Sequence, residues 1–391
     1  MTATAVEVLG PFAAAPPEQG DGRLAGTVAE ADAAAARNAA ARLVGWLPGE
    51  VVDQLGAYFV AAGVARAEAA PAAPRFSLDE FLARLCATPR AVQGAGAGAA
   101  SELELRTHEG PVDGSEYGER PEPESARMLF SPARLEAALA DGLSLGLRQF
   151  DRQFPEWAPV VDDIATVAQA DVFTKLFVTG GKESVTDWHR DQSDVVATML
   201  SGRKRFEVAP VQARDGEPPE TEVGADLEPG VALLLPRSRL HCATPLGETS
   251  VLLSIGIMRQ ADWGFRSVAP THLGLDSPPR SVRAYQLALR PHLPAAPAPR
   301  GWAAERRWRS RLPGGIAMLA EGGRPELLAQ GRRIGISEAA LAALLAVHAE
   351  GVASSAQVAA AVGAAEEKCA ELLASLCRAE LVAPLADSAL S

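Results

Sequence analysis

The chain has few cysteines, few aromatic residues and no long uninterrupted apolar segment. Its four cysteines among 391 residues form no CxxC pair, which argues against a disulfide scaffold or a zinc ribbon. No 18-residue apolar run is present, and the first residues lack the basic and apolar pattern of a signal segment. We therefore expect a cytoplasmic protein that does not bind membranes.

Basic residues are also in the minority. The chain has 37 lysines and arginines against 49 acidic residues, which gives a net charge of -12 and a pI of about 5.1. General nucleic-acid binding requires a basic surface, so we expect no nucleic-acid partner. The length is sufficient for two or three domains and a substantial core.

Two histidines and one aspartate form the most informative pattern. His189 and Asp191 are two residues apart, a spacing that places both side chains on one face of a strand. His241 follows fifty residues after Asp191 and would be brought alongside by the fold. Two imidazoles and one carboxylate leave three positions of an octahedron open, which suits Fe(II), a bidentate 2-oxo acid and O2.

The alternative is a polar strand without a metal, in which Asp191 pairs with Arg190. The neighbouring sequence favours the metal site, because the motif precedes a short apolar run at 195–200 that is typical of a buried strand. His241 lies in a polar loop between two further apolar runs, 231–235 and 250–258, where a structural histidine is less expected. Metal ligands on the strands of small β-barrels are common.

Residues 129–258 resemble the JmjC-type, cupin-related Fe(II)/2-oxoglutarate oxygenases, and most closely their ribosomal-oxygenase branch. Residues 189–195 match the motif His-x-Asp-x-x-Asp-Val, and 202–206 match Gly-Arg-Lys-Arg-Trp except for the last position. The second motif, Leu-x-Pro-Gly followed by an apolar run, Pro and then His, reappears as 227–236 and His241.

The resemblance implies an α+β fold, with a double-stranded β-helix (cupin or JmjC jelly-roll) core and flanking helices. It also implies Fe(II), 2-oxoglutarate as co-substrate, and O2. A basic residue fifteen positions after the first histidine holds the distal carboxylate of 2-oxoglutarate in this family, and here that residue is Lys204. Thr179 and Ser254 match family hydroxyl residues that bond the same carboxylate.

The substrate remains open at this stage. The family resemblance implies hydroxylation of a side chain in a ribosomal-protein-like polypeptide. Lys175 and Phe177 stand where the family often has Asn and Tyr, which favours a free amino acid or a peptide natural product as the alternative. A metal cupin without a 2-oxo acid and a non-enzymatic cupin binding module are further alternatives, against which Lys204 and the intact triad argue.

Composition and the resemblance together predict four regions. Residues 1–36, rich in Ala, Pro and Gly, are expected to be a disordered tail, and 37–270 the catalytic domain with an N-terminal helical part. The resemblance implies a helical dimerisation region at 271–312, hence a homodimer, and a winged-helix-like domain at 313–391. Helices are predicted at 324–330, 337–350, 355–362 and 365–378, with N-caps at Ser337 and Ser355.

Overall fold

A computed structural model describes most of the chain. The described residues are 6–11, 22–44, 46–47, 52, 55, 65–68, 76–93, 101–122, 125, 127–168, 170–180, 187–210, 213, 220–247, 249–258, 303–312, 316–319, 325–329 and 332–385. Of the predicted helical dimerisation region at 271–312, residues 271–302 lie outside them. No helix in the described part of the chain is long and apolar enough to cross a membrane.

The described α-helices alternate with strands along the chain. They are α1 Gly22–Leu43, α2 Leu78–Cys86, α3 Pro132–Ala140, α4 Phe150–Gln153, α5 Ala158–Ala168, α6 Glu338–Glu350, α7 Ser355–Val362 and α8 Glu366–Arg378.

The strands fall into two series, before and after the undescribed stretch 259–302. The first series is β1 Val6–Pro11, β2 Ala65–Glu68, β3 Arg90–Ala91, β4 Leu103–Thr107, β5 Gly110–Pro111, β6 Gly118–Glu119, β7 Arg127–Phe130, β8 Ser144–Arg148, β9 Asp171–Thr179, β10 His189–Arg190, β11 Asp194–Ser201, β12 Lys204–Val208, β13 Val223–Leu227, β14 Val231–Leu235, β15 Leu240–Pro245 and β16 Ser250–Met258. The second is β17 Arg307–Ser310, β18 Ala317–Leu319, β19 Glu326–Ala329, β20 Arg332–Ile336, β21 Val352–Ser354 and β22 Val382–Pro384.

These elements form two compact units. The barrel unit comprises Leu43–Val161 and Val172–Met258, and the terminal unit comprises Met1–Arg42, Asp162–Asp171 and Arg259–Ser391.

Two facing sheets build the barrel unit. The larger has the strand order β2-β14-β11-β16-β9-β8-β4-β5, and the smaller has the order β10-β15-β12-β13. One apolar cluster takes side chains from both sheets, such as Val195 and Leu233 from the larger and Phe206 and Ala225 from the smaller. The predicted double-stranded β-helix, with strands throughout 172–258, is therefore confirmed.

The turn between β11 and β12 shows how local sequence sets this arrangement. Gly202 has φ +67°, and a Cβ at this position would lie 2.5 Å from the carbonyl oxygen of Thr249. Only glycine meets both demands. The turn passes the chain from the larger to the smaller sheet, where β12 lies beside β15 with Val208 opposite His241.

In the described residues, the terminal unit contains two small sheets, the N-terminal helix α1, part of α5 and the helices α6, α7 and α8. One sheet has the order β1-β20-β19-β18, and the other, β21-β17-β22, lies in the same chain segment as α6, α7 and α8. Ser337 caps α6 as predicted, its hydroxyl accepting from the Ala340 N–H at 3.2 Å. The cap of α7 is Ser354 and not the predicted Ser355, whose hydroxyl instead accepts from the Trp308 indole at 2.8 Å. The winged-helix assignment stays a prediction.

Two predictions about the terminal unit are wrong in the described residues. Residues 326–329 form a strand and not a helix, because Leu327 and Ala329 alternate into the core while β20 pairs alongside. Residues 307–310, in the predicted helical dimerisation region, also form a strand. Its partners, β21 and β22, come from more than forty residues further along the chain.

The predicted disordered tail at 1–36 is also not confirmed. Residues 6–11 pair with β20, and α1 begins at Gly22. Ala31, Ala35 and Ala39 recur every four residues and are buried, so an alanine-rich composition here encodes a packed helix face. Asp32 on this helix is buried and lies 3.1 Å from the His348 Nε2 atom.

Asp32 is expected to contribute strongly to the stability of the terminal unit. Its Oδ1 atom also accepts from the Ile316 N–H at 3.3 Å, while His348 Nδ1 lies 3.1 Å from the Ser310 hydroxyl. Asp32→Ala leaves the Ile316 N–H and the His348 imidazole without their acceptor, which should lower the free energy of unfolding by about 3–5 kcal/mol. Hydrogen exchange should therefore accelerate by about 100-fold or more in α6.

Glu30→Ala is the matched control, because Glu30 lies on the same helix and is exposed. Its exchange rates in α6 should equal those of the wild type. Equal rates in the Asp32 and Glu30 variants would show that the contacts of Asp32 do not stabilise α6.

Candidate metal and co-substrate site

The two histidines are brought together by the shortest strand of the smaller sheet. His189 on β10 is the direct cross-strand partner of His241 on β15, and the ring centroids are 4.3 Å apart. His189 Nδ1 lies 2.9 Å from the Asp187 carbonyl oxygen, and His241 Nδ1 lies 2.9 Å from that of Arg239. With Nδ1 donating to a carbonyl, each ring keeps its Nε2 lone pair available for a ligand.

Asp191 completes the cluster immediately after β10. Its carboxylate lies 3.6 Å from the His241 Nε2 atom, and the ligand atoms of the three residues all lie within 4.8 Å of one another. The Ser238 N–H donates to the Asp191 carbonyl at 2.9 Å and holds this turn in place. Arg190, the partner in the alternative without a metal, donates to the carbonyl oxygens of Ser238 and Ala213.

The electrostatics of the cluster fit a divalent cation. Burial lowers the pKa of His241, and the neighbouring His189 lowers it further, so the imidazole is favoured in the neutral form that a metal requires. Two neutral ring nitrogens and one carboxylate are a donor set that suits Fe(II). His241 is 4 % exposed, whereas the Asp191 side chain is 39 % exposed, so the cluster is open on the aspartate side.

Lys204 lies on the inward face of the smaller sheet. Lys204 is four residues before Val208, and Val208 is the cross-strand partner of His241. Lys204 and His241 therefore lie on one face of the sheet, about 13 Å apart along the strand direction. Its Nζ atom donates to the Thr179 hydroxyl at 2.7 Å, so these two predicted residues are brought together. Burial alone lowers the pKa of Lys204 to about 7, with no contribution from a neighbouring carboxylate. A ligand that supplies a carboxylate fits this position.

Ser254 is less closely tied to this pair. It lies on β16 opposite Ala197, which belongs to the apolar cluster between the sheets. No described hydrogen bond joins its hydroxyl to Lys204 or Thr179, so its co-substrate role stays a prediction.

Ser144 is a residue that the sequence interpretation missed. It opens β8 directly opposite Thr179, and its buried hydroxyl has no hydrogen-bond partner within the described residues. Arg106 on β4 is the cross-strand partner of Ser144, so Thr179, Ser144 and Arg106 form one row across the sheet. The buried Nε atom of Arg106 also has no hydrogen-bond partner within the described residues. No local motif marks Ser144, because its importance comes from pairing with a strand that follows 27 residues later.

Comparison with known proteins agrees with this geometry. The JmjC domain family model matches residues 149–263. Comparison with curated protein sequences finds no significant relative. Among solved structures, the ribosomal oxygenase YcfD from Escherichia coli in complex with cobalt and 2-oxoglutarate is similar, with a TM-score of 0.54 and 16% identity, covering 87% of this chain and 99% of that one. A second structure of YcfD gives a TM-score of 0.51 at 16% identity, covering 83% and 94%.

The family match spans His189, Asp191, Lys204 and His241, and the structural match covers 87% of this chain. At this identity the structural match establishes the fold. The chain therefore contains a JmjC domain at residues 149–263 and has the fold of the two similar E. coli structures.

Proposed function

We propose that His189, Asp191 and His241 bind Fe(II), and that Lys204, Thr179 and Ser144 bind the distal carboxylate of 2-oxoglutarate. The observation that carries this proposal is the buried Lys204 ammonium, which shares a strand face with the histidine cluster and receives no compensating carboxylate from the described residues. When bound, iron, 2-oxoglutarate and O2 couple decarboxylation of the co-substrate to hydroxylation of a substrate C–H bond.

The residues of this chain place the reactants and exclude water. His189 and His241 are oriented by backbone carbonyls, so their ring nitrogens converge without further rearrangement. Lys204 and Thr179 fix the far end of the co-substrate in a dry part of the barrel, since both are almost fully buried. The exposed side of Asp191 is the side from which a substrate approaches.

The proposed substrate is an amino-acid side chain within a polypeptide, such as a ribosomal protein. The similar E. coli structures are of a ribosomal oxygenase, and the open side of the cluster supports access by a protein segment. A free amino acid or a peptide natural product is the second candidate, supported by Lys175 and Phe177 on the strand that carries Thr179. The homodimer and the cytoplasmic location stay predictions.

The test is a paired assay with Fe(II), 2-oxoglutarate and either ribosomal proteins or free amino acids. We expect succinate formation and the addition of one oxygen atom to a ribosomal-protein peptide, detected by mass spectrometry. The Asp191→Ala protein serves as the inactive control. Oxygen incorporation into a free amino acid alone would replace the polypeptide substrate by the second candidate, and no succinate formation at all would contradict the oxygenase proposal.

Ser144→Ala is expected to weaken co-substrate binding moderately. A hydroxyl that donates to a carboxylate is worth about 1.5 kcal/mol, the lower end for bonds to charged groups, so the KM for 2-oxoglutarate should rise by about 10-fold. Stability without co-substrate should not fall, because this hydroxyl has no partner to lose. Ser101→Ala is the matched control, since its buried hydroxyl is also unpaired in the described chain but lies outside this row. An equal KM for 2-oxoglutarate in the two variants would show that Ser144 does not contact the co-substrate.

A further inference from the structure

Three charged side chains form a cluster on the larger sheet of the barrel unit. Glu104 on β4 accepts from the Lys175 ammonium on β9 at 2.5 Å and from the Arg148 guanidinium on β8. The Glu104 side chain is 11 % exposed, whereas those of Lys175 and Arg148 are 22 % and 41 % exposed. The cluster is therefore anchored in the sheet through its carboxylate and open to solvent through its cations.

The cluster lies on the inward face of the sheet. Lys175 and Thr179 are four residues apart on β9, so they point to the same side, and Thr179 contacts Lys204 inside the barrel. Arg148 is the cross-strand partner of Lys175, and Glu104 is the partner of Gly146, which lies opposite Phe177. Cross-strand partners share a face, so all three charges line the interior that holds the co-substrate contact.

Gly146 makes this arrangement sterically feasible. The Lys175 side chain crosses β8 to reach Glu104, and a Cβ on Gly146 would lie 2.8 Å from the Lys175 Cε atom. On its other side the ammonium lies 4.6 Å from the centroid of the Phe177 ring. Lys175 is thus held in one direction by the backbone, an aromatic ring and a carboxylate, which is the organisation expected of a recognition group.

Phe173 extends the inward row of β9 at the end opposite to Thr179. Phe173, two residues before Lys175, is 44 % exposed, and its ring packs on Gly256. Gly256 pairs with Val195, near the start of β11 and four residues after Asp191. Along β9 the inward side chains therefore run from Phe173, on the strand pair that follows Asp191, through Lys175 and Phe177 to Thr179, which contacts Lys204.

The charges of the cluster do not cancel. Two cations face one carboxylate, which leaves one positive charge. Hydrogen bonds and charge from Lys175 and Arg148 lower the pKa of Glu104 in spite of its burial, so the carboxylate stays ionised. Arg148 bonds Glu104 through Nε and Nη2, which directs its Nη1 edge away from the pair. The cluster is therefore organised to donate hydrogen bonds to an anion.

We propose that Arg148 and Lys175, positioned by Glu104 and Gly146, bind a carboxylate of the prime substrate and select substrates that carry an acidic side chain near the hydroxylated residue. Phe173 contacts the apolar part of the same segment. This inference rests on the proposed oxygenase function and specifies its substrate class.

The test uses three pools of short capped peptides that differ only in carrying Asp, Asn or Lys at one position. The readout is kcat/KM for peptide-stimulated succinate formation, beside the KM for 2-oxoglutarate. The wild type should prefer the Asp pool by about 10-fold or more, as expected for a charge-assisted pair. Lys175→Gln and Gly146→Ala should both reduce this preference, the second without removing a charge. Arg148→Glu should shift the preference toward the Lys pool.

Arg205→Gln is the matched control, because Arg205 is also an ion-paired strand cation in this unit but is exposed and bonded to the exposed Asp226. It should behave as the wild type. A wild type without preference for the Asp pool would overturn the inference, as would a Lys175→Gln variant whose main defect is a raised KM for 2-oxoglutarate. Absence of any succinate formation by the wild type would instead contradict the oxygenase function itself.

Discussion

Asp191→Ala is expected to abolish tight binding of Fe(II) and all turnover. Changes to groups that only support metal ligands cost about 10- to 100-fold in affinity, so removing a ligand should cost at least about 100-fold. The fold should persist, because the side chain is 39 % exposed and contributes little to the core. Anaerobic titration with Fe(II), or with Mn(II) followed by electron paramagnetic resonance, measures the affinity directly.

Asp187→Ala is the control for this experiment. Asp187 is an exposed aspartate two residues before His189, and its backbone carbonyl, which orients that histidine, is retained in the variant. Its metal affinity should equal that of the wild type. If the Asp191 and Asp187 variants bound Fe(II) equally well, the assignment of Asp191 as a ligand would be wrong.

Lys204→Met is expected to weaken binding of 2-oxoglutarate strongly. The variant keeps the length of the side chain but removes the ammonium that we propose binds the co-substrate. A hydrogen bond to a charged group is worth about 1.5–3 kcal/mol, so the KM for 2-oxoglutarate should rise by about 10- to 150-fold. An unchanged KM would exclude Lys204 from the co-substrate site.

The same variant should be more stable than the wild type without co-substrate. Burial lowers the pKa of Lys204 from 10.5 to about 7, so the unfolded chain binds the proton more tightly than the folded protein does. This difference costs the wild type up to about 5 kcal/mol below pH 7, and the cost declines as the pH rises from 7 to 10.5. The stability advantage of Lys204→Met should therefore be largest near pH 6 and shrink above pH 8, as chemical denaturation would measure.

Lys204→Arg separates charge from position. In the wild type, the fraction of charged Lys204 falls above pH 7 when the site is empty, so the affinity for 2-oxoglutarate should fall by up to about tenfold for each pH unit. Arginine stays charged throughout this range, so its variant should show a flatter pH dependence even if the pocket accommodates it less well. Equal pH profiles in both proteins would assign the dependence to another group.

The parts of the site that could be predicted are those encoded over short distances. About fifteen residues contain the spacing of His189 and Asp191, the apolar strand after them and the turn glycine at 202. The resemblance added Lys204 and Thr179, which the structure joins by a hydrogen bond. Ser144 carries no such local mark, because a serine at the start of a strand is ordinary until the sheet places it opposite Thr179.

The terminal unit shows the opposite case. The alanine-rich composition of 1–36 suggested disorder, yet α1 packs through Ala31, Ala35 and Ala39, and Asp32 on the same helix reaches His348 from 316 residues away. The partners of β17 are likewise distant in sequence. The composition of a segment describes how that segment behaves in isolation. These segments are ordered by contacts with residues that are distant in the chain.

The sequence by itself determined the His-x-Asp motif and the barrel strands, because strand alternation and motif spacing act over a few residues. The basic residue expected to hold a 2-oxo acid came from the family resemblance. Only the tertiary structure decided which further residues share that interior. The pairing of β4, β8 and β9 aligns Ser144 with Thr179 and brings Glu104, Arg148 and Lys175 into one cluster. Such alignments depend on the register between strands that are distant in the chain, and a shift by one residue would turn every one of these side chains to the opposite face.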